Sequence, residues 1–226
     1  MNNMMAAQGC TKVYQNEGNL PLLELIAPKN GHALDLGCGS GDNARLLKLK
    51  GWKVTGITIS PIEQEMAEMH CDEVYLADLD QGLPGSLKGP FDLVVMSHIL
   101  EHLKYPGRIL KEIKGLLTYD GIIAVALPNV LHYKNRFRCL LGYFSYEDGG
   151  IMDNTHLRFY TFESGVNLLS SVGYKILVAQ ADGAFPFWKL KKIFPLKFIN
   201  KGNRFSCKTF PGLFGYQSLY IAKIAL

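Results

Sequence analysis

The 226 residues predict an α/β fold, a doubly wound and mostly parallel sheet in a single domain. Three observations carry that reading. From Gly31 onward, short apolar runs alternate with segments of helical spacing, the order that parallel strands joined by crossover helices require. The run at 91–96, apolar but for Asp92, suits a strand buried on both faces. The first apolar run empties into a turn, Gly37-Cys38-Gly39-Ser40-Gly41, that opens a helix.

Taken in order, residues 1–30 form an N-terminal helical segment, with a short apolar helix expected near 20–27. Strand one is 32–36. Helical spacing through Ala44, Leu46, Leu47 and Leu49 follows the glycine turn, and Gly51 ends that helix. Strand two is 53–59; Ser60-Pro61-Ile62-Glu63 then supplies an N-cap, a proline at the first helical position and a capping-box glutamate. Strand three, 73–77, ends at Asp78, and strand four is 91–96. Pro106 opens a helix whose stripe Ile109, Leu110, Ile113, Leu116 and Leu117 faces the core. Asp120-Gly121 is expected to turn into strand five at 122–127. Residues 129–160 lack a clear period and are long for a connection, which suggests a cap. A helix at 162–172, a strand at 174–181, a basic and aromatic insertion at 182–214 and a strand at 215–224 complete the chain.

Composition narrows the function classes. With 48% hydrophobic and 19% charged residues, the chain is neither disordered nor collagen-like. No apolar run reaches the roughly 18 residues of a spanning helix, and the start lacks a basic flank before an apolar stretch. Five scattered cysteines with no C-x-x-C pair argue against a disulfide framework or zinc knuckle, so a cytoplasmic setting is expected. Charge is unevenly placed. Residues 183–226 contain eight Lys or Arg, no Asp or Glu, and ten of the 25 aromatics. Basic plus aromatic predicts either peripheral contact of 185–210 with an anionic membrane surface or an aromatic lid over a pocket. Nucleic acid is not expected, since this tail has few arginines and no recognised binding module.

In the glycine turn the backbone can approach a ligand where side chains would block it. For dinucleotide binding a third glycine should stand at 42, where Asp42 is found, and no carboxylate ends strand two to hold a ribose. The ordered set Leu34-Asp35-Leu36-Gly37-Cys38-Gly39-Ser40-Gly41, Asp78-Leu79 with Leu83-Pro84 beyond, Phe91-Asp92-Leu93-Val94-Val95, Leu100-Glu101-His102-Leu103 and Asp120-Gly121 resembles the class I S-adenosylmethionine-dependent methyltransferases. The branch it resembles includes ubiquinone-pathway O-methyltransferases and methyltransferases of sugar and natural-product clusters. The resemblance covers about 33–175 and implies a Rossmann-like sheet with an antiparallel last strand, its insertions covering the substrate.

The resemblance further implies S-adenosylmethionine as cofactor. Gly37, Cys38, Gly39 and Gly41 would cradle its methionine part, with Asp35 toward the ammonium end. Asp78 and Leu79 would hold the adenine, and Ser97 would lie beside the transferring methyl. Where the family usually binds ribose through a carboxylate this chain has Thr58, followed by Ile59; Glu63 is the candidate replacement, though its capping role is a sufficient reason for it.

His98-Ile99-Leu100-Glu101-His102 also spells an inverted zinc-protease pattern. It is rejected because His98 lies where strand gives way to loop and need not share a helical face with His102; no metal is expected. Glu101 and His102 are expected to brace the loop. Cys38 is read as a small loop residue rather than a nucleophile. His156, within Asp153-Asn154-Thr155-His156-Leu157-Arg158, together with His132 and His98 are the candidates for substrate contact or proton acceptor. Tyr133, Arg136 and Arg138 could bind an anionic group, against a plain solvated loop face. The expected function is O-methylation of a small molecule, sugar or lipid-linked precursor. The alternative is a non-catalytic cofactor-binding subunit acting through a protein partner.

Overall fold

The computed structural model describes residues 17–184 and 196–225. Seven strands, β1 (His32–Leu36), β2 (Lys53–Thr58), β3 (Glu73–Leu76), β4 (Phe91–Ser97), β5 (Leu117–Pro128), β6 (Tyr174–Gly183) and β7 (Gly215–Ile224), form one sheet in the order β3-β2-β1-β4-β5-β7-β6. β7 runs antiparallel to both its neighbours, β5 and β6; the pairs from β3 through β5 are parallel. The doubly wound sheet with an antiparallel last strand is therefore as expected.

Strand alternation separates two apolar layers. On β4, Val94 and Met96 join Leu34, Ile57, Ile123 and Leu110 on one face, whereas Leu93 and Val95 join Ala33, Val54, Leu47 and Leu22 on the other. The helices are α1 (Leu20–Leu23), α2 (Asp42–Leu49), α3 (Pro61–Ala67), α4 (Pro106–Glu112), α5 (Tyr133–Leu140), α6 (Phe162–Ser171), α7 (Leu196–Thr209) and α8 (Pro211–Phe214). With both faces covered, the polar groups that must meet a ligand are confined to the carboxyl edge, where strand order reverses between β1 and β4.

Local departures from expectation have physical causes. The apolar segment near Leu20 is helical for only four residues. β5 begins at Leu117, earlier than expected, but continuous pairing with β4 starts at Ile122 as expected; residues 118–121 bulge from the ladder, and a Cβ on Gly121 would stand 2.9 Å from Thr118 O and 3.0 Å from Phe91 O, so the missing side chain permits that bend. The region 129–160 contains α5, and the second insertion contains α7 and α8. The aromatics Phe185, Phe187, Trp188 and Phe194 lie outside the described residues, as do residues 1–16 of the N-terminal segment.

Candidate active site

A cavity of about 660 Å³ opens at the carboxyl edge, in the size range of small-molecule sites. Each of β1 to β4 delivers part of it. After β1 come Gly37, Cys38 and Gly39; after β2, Thr58, Ile59 and Glu63; after β3, Asp78 and Leu79; after β4, Ser97 and His98. Gly18, Asn19 and Pro21 close one side, and Gly150, Asp153, His156, Tyr216 and Gln217 line another.

The glycine turn is fixed from below and bare above. Gly37 and Cys38 both donate backbone N–H to Ile57 O at 2.9 Å, tying the turn to β2. Gly37 and Gly39 have φ of 71° and 52°, where a side chain is strained. A Cβ on Gly39 would meet only Glu63 Oε1, at 3.9 Å, so it would project into the cavity. Gly41 differs. It does not line the cavity, and a Cβ there would lie 3.1 Å from both Ala67 Cα and His70 Cβ, so its glycine serves the close approach of α2 to α3. Cys38 offers the cavity its backbone; its thiol hydrogen-bonds with Cys71, and that contact and burial push its pKa far up, which leaves it inert as a nucleophile.

Asp35 is fully buried beneath the turn, and neither carboxylate oxygen makes a hydrogen bond of good geometry. Burial pushes its pKa up to about 7, with the Asn43 side chain opposing the rise. A cationic ligand group above the turn would supply the missing counter-charge. Glu63 does not close the expected capping box, since the Ser60 N–H donates to Thr58 Oγ1 at 3.3 Å; Thr58 Oγ1 in turn donates to Glu63 Oε2 at 2.8 Å, which holds that carboxylate at the end of β2, where Glu63 lines the cavity. Asp78 is exposed to the cavity and receives the Asp80 N–H at 2.9 Å, while Leu79 is buried against the core.

The opposite side of the cavity carries the histidines. His98 has φ 55°, a conformation unfavourable for a histidine, held by its N–H donating to Ala126 O at 3.1 Å. Gln217 Nε2 donates to Asp182 Oδ2 (3.0 Å), which turns Gln217 Oε1 toward Asn19 Nδ2 (2.8 Å) and His98 Nε2 (2.9 Å). His98 Nδ1 lies 3.3 Å from Glu101 Oε1. Burial alone would lower the His98 pKa, but Glu101 and Gln217 outweigh it and the net shift is upward. Asn19 also donates to Ser97 Oγ at 3.0 Å, fixing the serine at the mouth of β4.

Glu101 is wholly buried, and its backbone carbonyl accepts N–H bonds from Leu157 (2.9 Å) and Arg158 (3.1 Å). This docks the polar stretch after the cap beside the end of β4. His156 Nδ1 faces Ile151 O at 3.1 Å and so carries the proton, leaving Nε2 as a lone-pair acceptor 4.0 Å from Glu101 Oε1. Burial lowers the His156 pKa, with Glu101 opposing the shift, which favours the neutral ring. One donor atom each from Glu101, His102 and His156 lies within 4.8 Å of the others, whereas donors sharing a tetrahedral ion stand only about 3.4 Å apart. In the separate H-x-x-E-H pattern, His98 sits at the end of β4 and His102 on the 3₁₀ turn Leu100–His102.

Besides Gly41, other candidates lie outside the cavity. His132 does not line the cavity; its ring packs against Tyr133 and Tyr216, and burial pushes its pKa down to about 4. Tyr133, Arg136 and Arg138 do not form an anion site in the cavity: Arg138 pairs with Glu147 and Arg136 braces Leu131 O and Gly212 O. Conversely, Asn19 and Gln217 are site residues that no local motif could group, because they stand 198 positions apart, and Glu101, expected only to brace its loop, also lines the cavity.

Fold and site together define a nucleotide-cofactor-binding type of α/β fold, with a bare glycine turn under one half of the cavity and acid–base side chains around the other. The methyltransferase domain family matches residues 13–179, and the chain belongs to that family. It is 33% identical over 101 residues to a ubiquinone biosynthesis O-methyltransferase of Caulobacter vibrioides, covering 42% of this chain and 40% of that one. It is also 25% identical over 189 residues to (S)-coclaurine N-methyltransferase of Thalictrum flavum subsp. glaucum, covering 77% and 48%. The chain thus spans under half the length of these curated relatives. Among solved structures, an S-adenosylmethionine-dependent methyltransferase from Archaeoglobus fulgidus superposes with TM-score 0.60 at 23% identity, covering 85% of each chain. One from Methanosarcina mazei gives 0.62 at 19%, covering 92% of this chain and 99% of that one. The family's cofactor, S-adenosylmethionine, fits the residues present: the cradle a Cβ would fill, the orphaned carboxylate of Asp35, and the polar groups of Glu63 and Asp78.

Proposed function

We propose that this chain methylates an oxygen atom of a small or lipid-linked acceptor, with S-adenosylmethionine as methyl donor and His156 as proton acceptor. The observation that carries the reading is the placement of His156, which lines the cavity with its Nδ1 proton committed to Ile151 O and its Nε2 4.0 Å from the buried Glu101. When bound, the cofactor supplies an electrophilic methyl on a sulfonium, so the chain has mainly to position the acceptor and manage its proton. Gly37, Gly39 and Asp35 would hold the methionine end, Thr58 and Glu63 the ribose, and Asp78 and Leu79 the adenine. Ser97 and His98, fixed through Asn19 and Gln217, would orient the acceptor.

His156 would take the hydroxyl proton onto Nε2 as the acceptor oxygen is methylated, the bound cofactor supplying the methyl group and keeping the electron pair of the bond it gives up. The nearby Glu101 carboxylate then stabilises the imidazolium. Relatives named as O-methyltransferases support oxygen as the acceptor atom. The accessory-subunit alternative is not favoured, because mere cofactor storage has no use for an oriented, neutral histidine on the acceptor side. The test is transfer of label from methyl-labelled S-adenosylmethionine into a metabolite extract. A product carrying one added O-methyl supports the proposal, and no labelled product across water-soluble and lipid extracts would overturn it.

A further inference from the structure

The outward face of α7 sets cations beside exposed phenylalanines. This helix packs on β6 and α8, with Ile199 and Cys207 buried on its inner side. Lys197, Lys201, Arg204 and Lys208 follow the spacing i, i+4, i+7, i+11, which stacks them on one face. Phe198 and Phe205, one heptad apart, flank that stripe and are 67% and 69% exposed; Phe210, just beyond the helix, is 57% exposed. Among the described residues, none of the four cations pairs with a carboxylate, and no Asp or Glu occurs in the sequence after Asp182.

We infer that this face docks on an anionic phospholipid bilayer. Cations beside exposed phenylalanines on one face of a helix match the two terms of interfacial binding: attraction to anionic headgroups and insertion of apolar rings at the acyl boundary. A soluble polyanion would use the charges but leave the rings in water.

The position of α7 gives the contact a consequence. Asp182, close enough to raise the Cys207 pKa, also anchors Gln217, which lines the cavity. Docking therefore sets the membrane beside the elements that border the active site. Resting on the proposed methyl transfer, this assigns the acceptor to the apolar, lipid-linked class.

The test is sedimentation of the full chain with phosphatidylcholine vesicles containing or lacking phosphatidylglycerol, without cofactor, so that it is independent of catalysis. Binding should be about tenfold or more stronger to the anionic vesicles and should weaken by a similar factor in Lys201→Gln/Arg204→Gln. Phe198→Ser/Phe205→Ser should also lose about tenfold, and all variants should keep the wild-type circular dichroism, since these side chains are exposed. Equal binding to neutral and anionic vesicles would overturn the inference. So would undiminished binding by the phenylalanine pair, or competition by RNA at equimolar charge, since either would mark a merely polyanionic contact. Vesicle binding without any methyl transfer would instead refute the proposed chemistry and leave the docking face standing.

Discussion

Replacing Gly39 by leucine separates binding from folding. At φ 52° an L-residue costs about 1–2 kcal/mol relative to glycine. For a domain of this size, that lowers the melting temperature by about 2–8 °C. The packing cost is small, since only Glu63 Oε1 lies within 4 Å of the added Cβ. The side chain instead occupies the space above the turn, where the methionine part of the cofactor is to lie. Gly39→Leu should therefore weaken S-adenosylhomocysteine binding by at least a hundredfold, about 2.8 kcal/mol. Isothermal titration with the folded variant reads this directly. Gly41→Ala is the contrast: its Cβ crowds Ala67 and His70 outside the cavity, so folding should suffer while the surviving folded fraction binds normally. Wild-type affinity in a well-folded Gly39→Leu protein would refute the reasoning.

Four other outcomes follow from the same geometry. Because Asp35 has a folded pKa raised to about 7 from 3.8, the native state binds more protons than the unfolded chain between these values. Stability should thus fall as pH rises from about 4 to 7, while S-adenosylhomocysteine affinity rises through pH 7 as the carboxylate ionises against the ligand's ammonium; Asp35→Asn should flatten both titrations. Glu63→Ala should raise the cofactor Kd about tenfold in calorimetry, by removing the proposed ribose acceptor and the group that takes the Thr58 O–H bond. His156→Asn should lower kcat about 10²–10⁴-fold with unchanged S-adenosylhomocysteine affinity, whereas the corresponding change at His132 should spare kcat. Gly165→Ala places a Cβ 2.7 Å from the Tyr220 ring, whose hydroxyl donates to Phe162 O, and should cost about 1–3 kcal/mol in urea denaturation with little effect on binding.

What could be read from sequence was what is encoded locally. The glycine turn, the Ser60-Pro61 helix start and the alternation of apolar runs each fix a backbone state within a few residues, so β1 to β4 and the cofactor half of the cavity were legible. Gly41 illustrates the boundary: its positive φ follows from the turn, but whether its bare side faces a ligand or Ala67 depends on how α3 packs. The acceptor half was less legible. His156 meets Glu101 only because backbone bonds from Leu157 and Arg158 cross to Glu101 O, and Gln217 reaches His98 only because β7 enters the sheet beside β5. His132 looked equivalent to His156 in sequence; packing against Tyr133 and Tyr216 separates them. The regular spacing of cations and phenylalanines in α7 is present in the sequence, but which face stays exposed depends on how the helix packs on β6 and α8.

The most direct test of the account is the electron density of this chain crystallised with S-adenosylhomocysteine. The account predicts the amino-acid end over Gly37 and Gly39, the ribose at Glu63, the adenine at Asp78 and Leu79, and the thioether facing the Ser97 and His156 side. A ligand seated elsewhere, or one whose sulfur points away from His156, would contradict it.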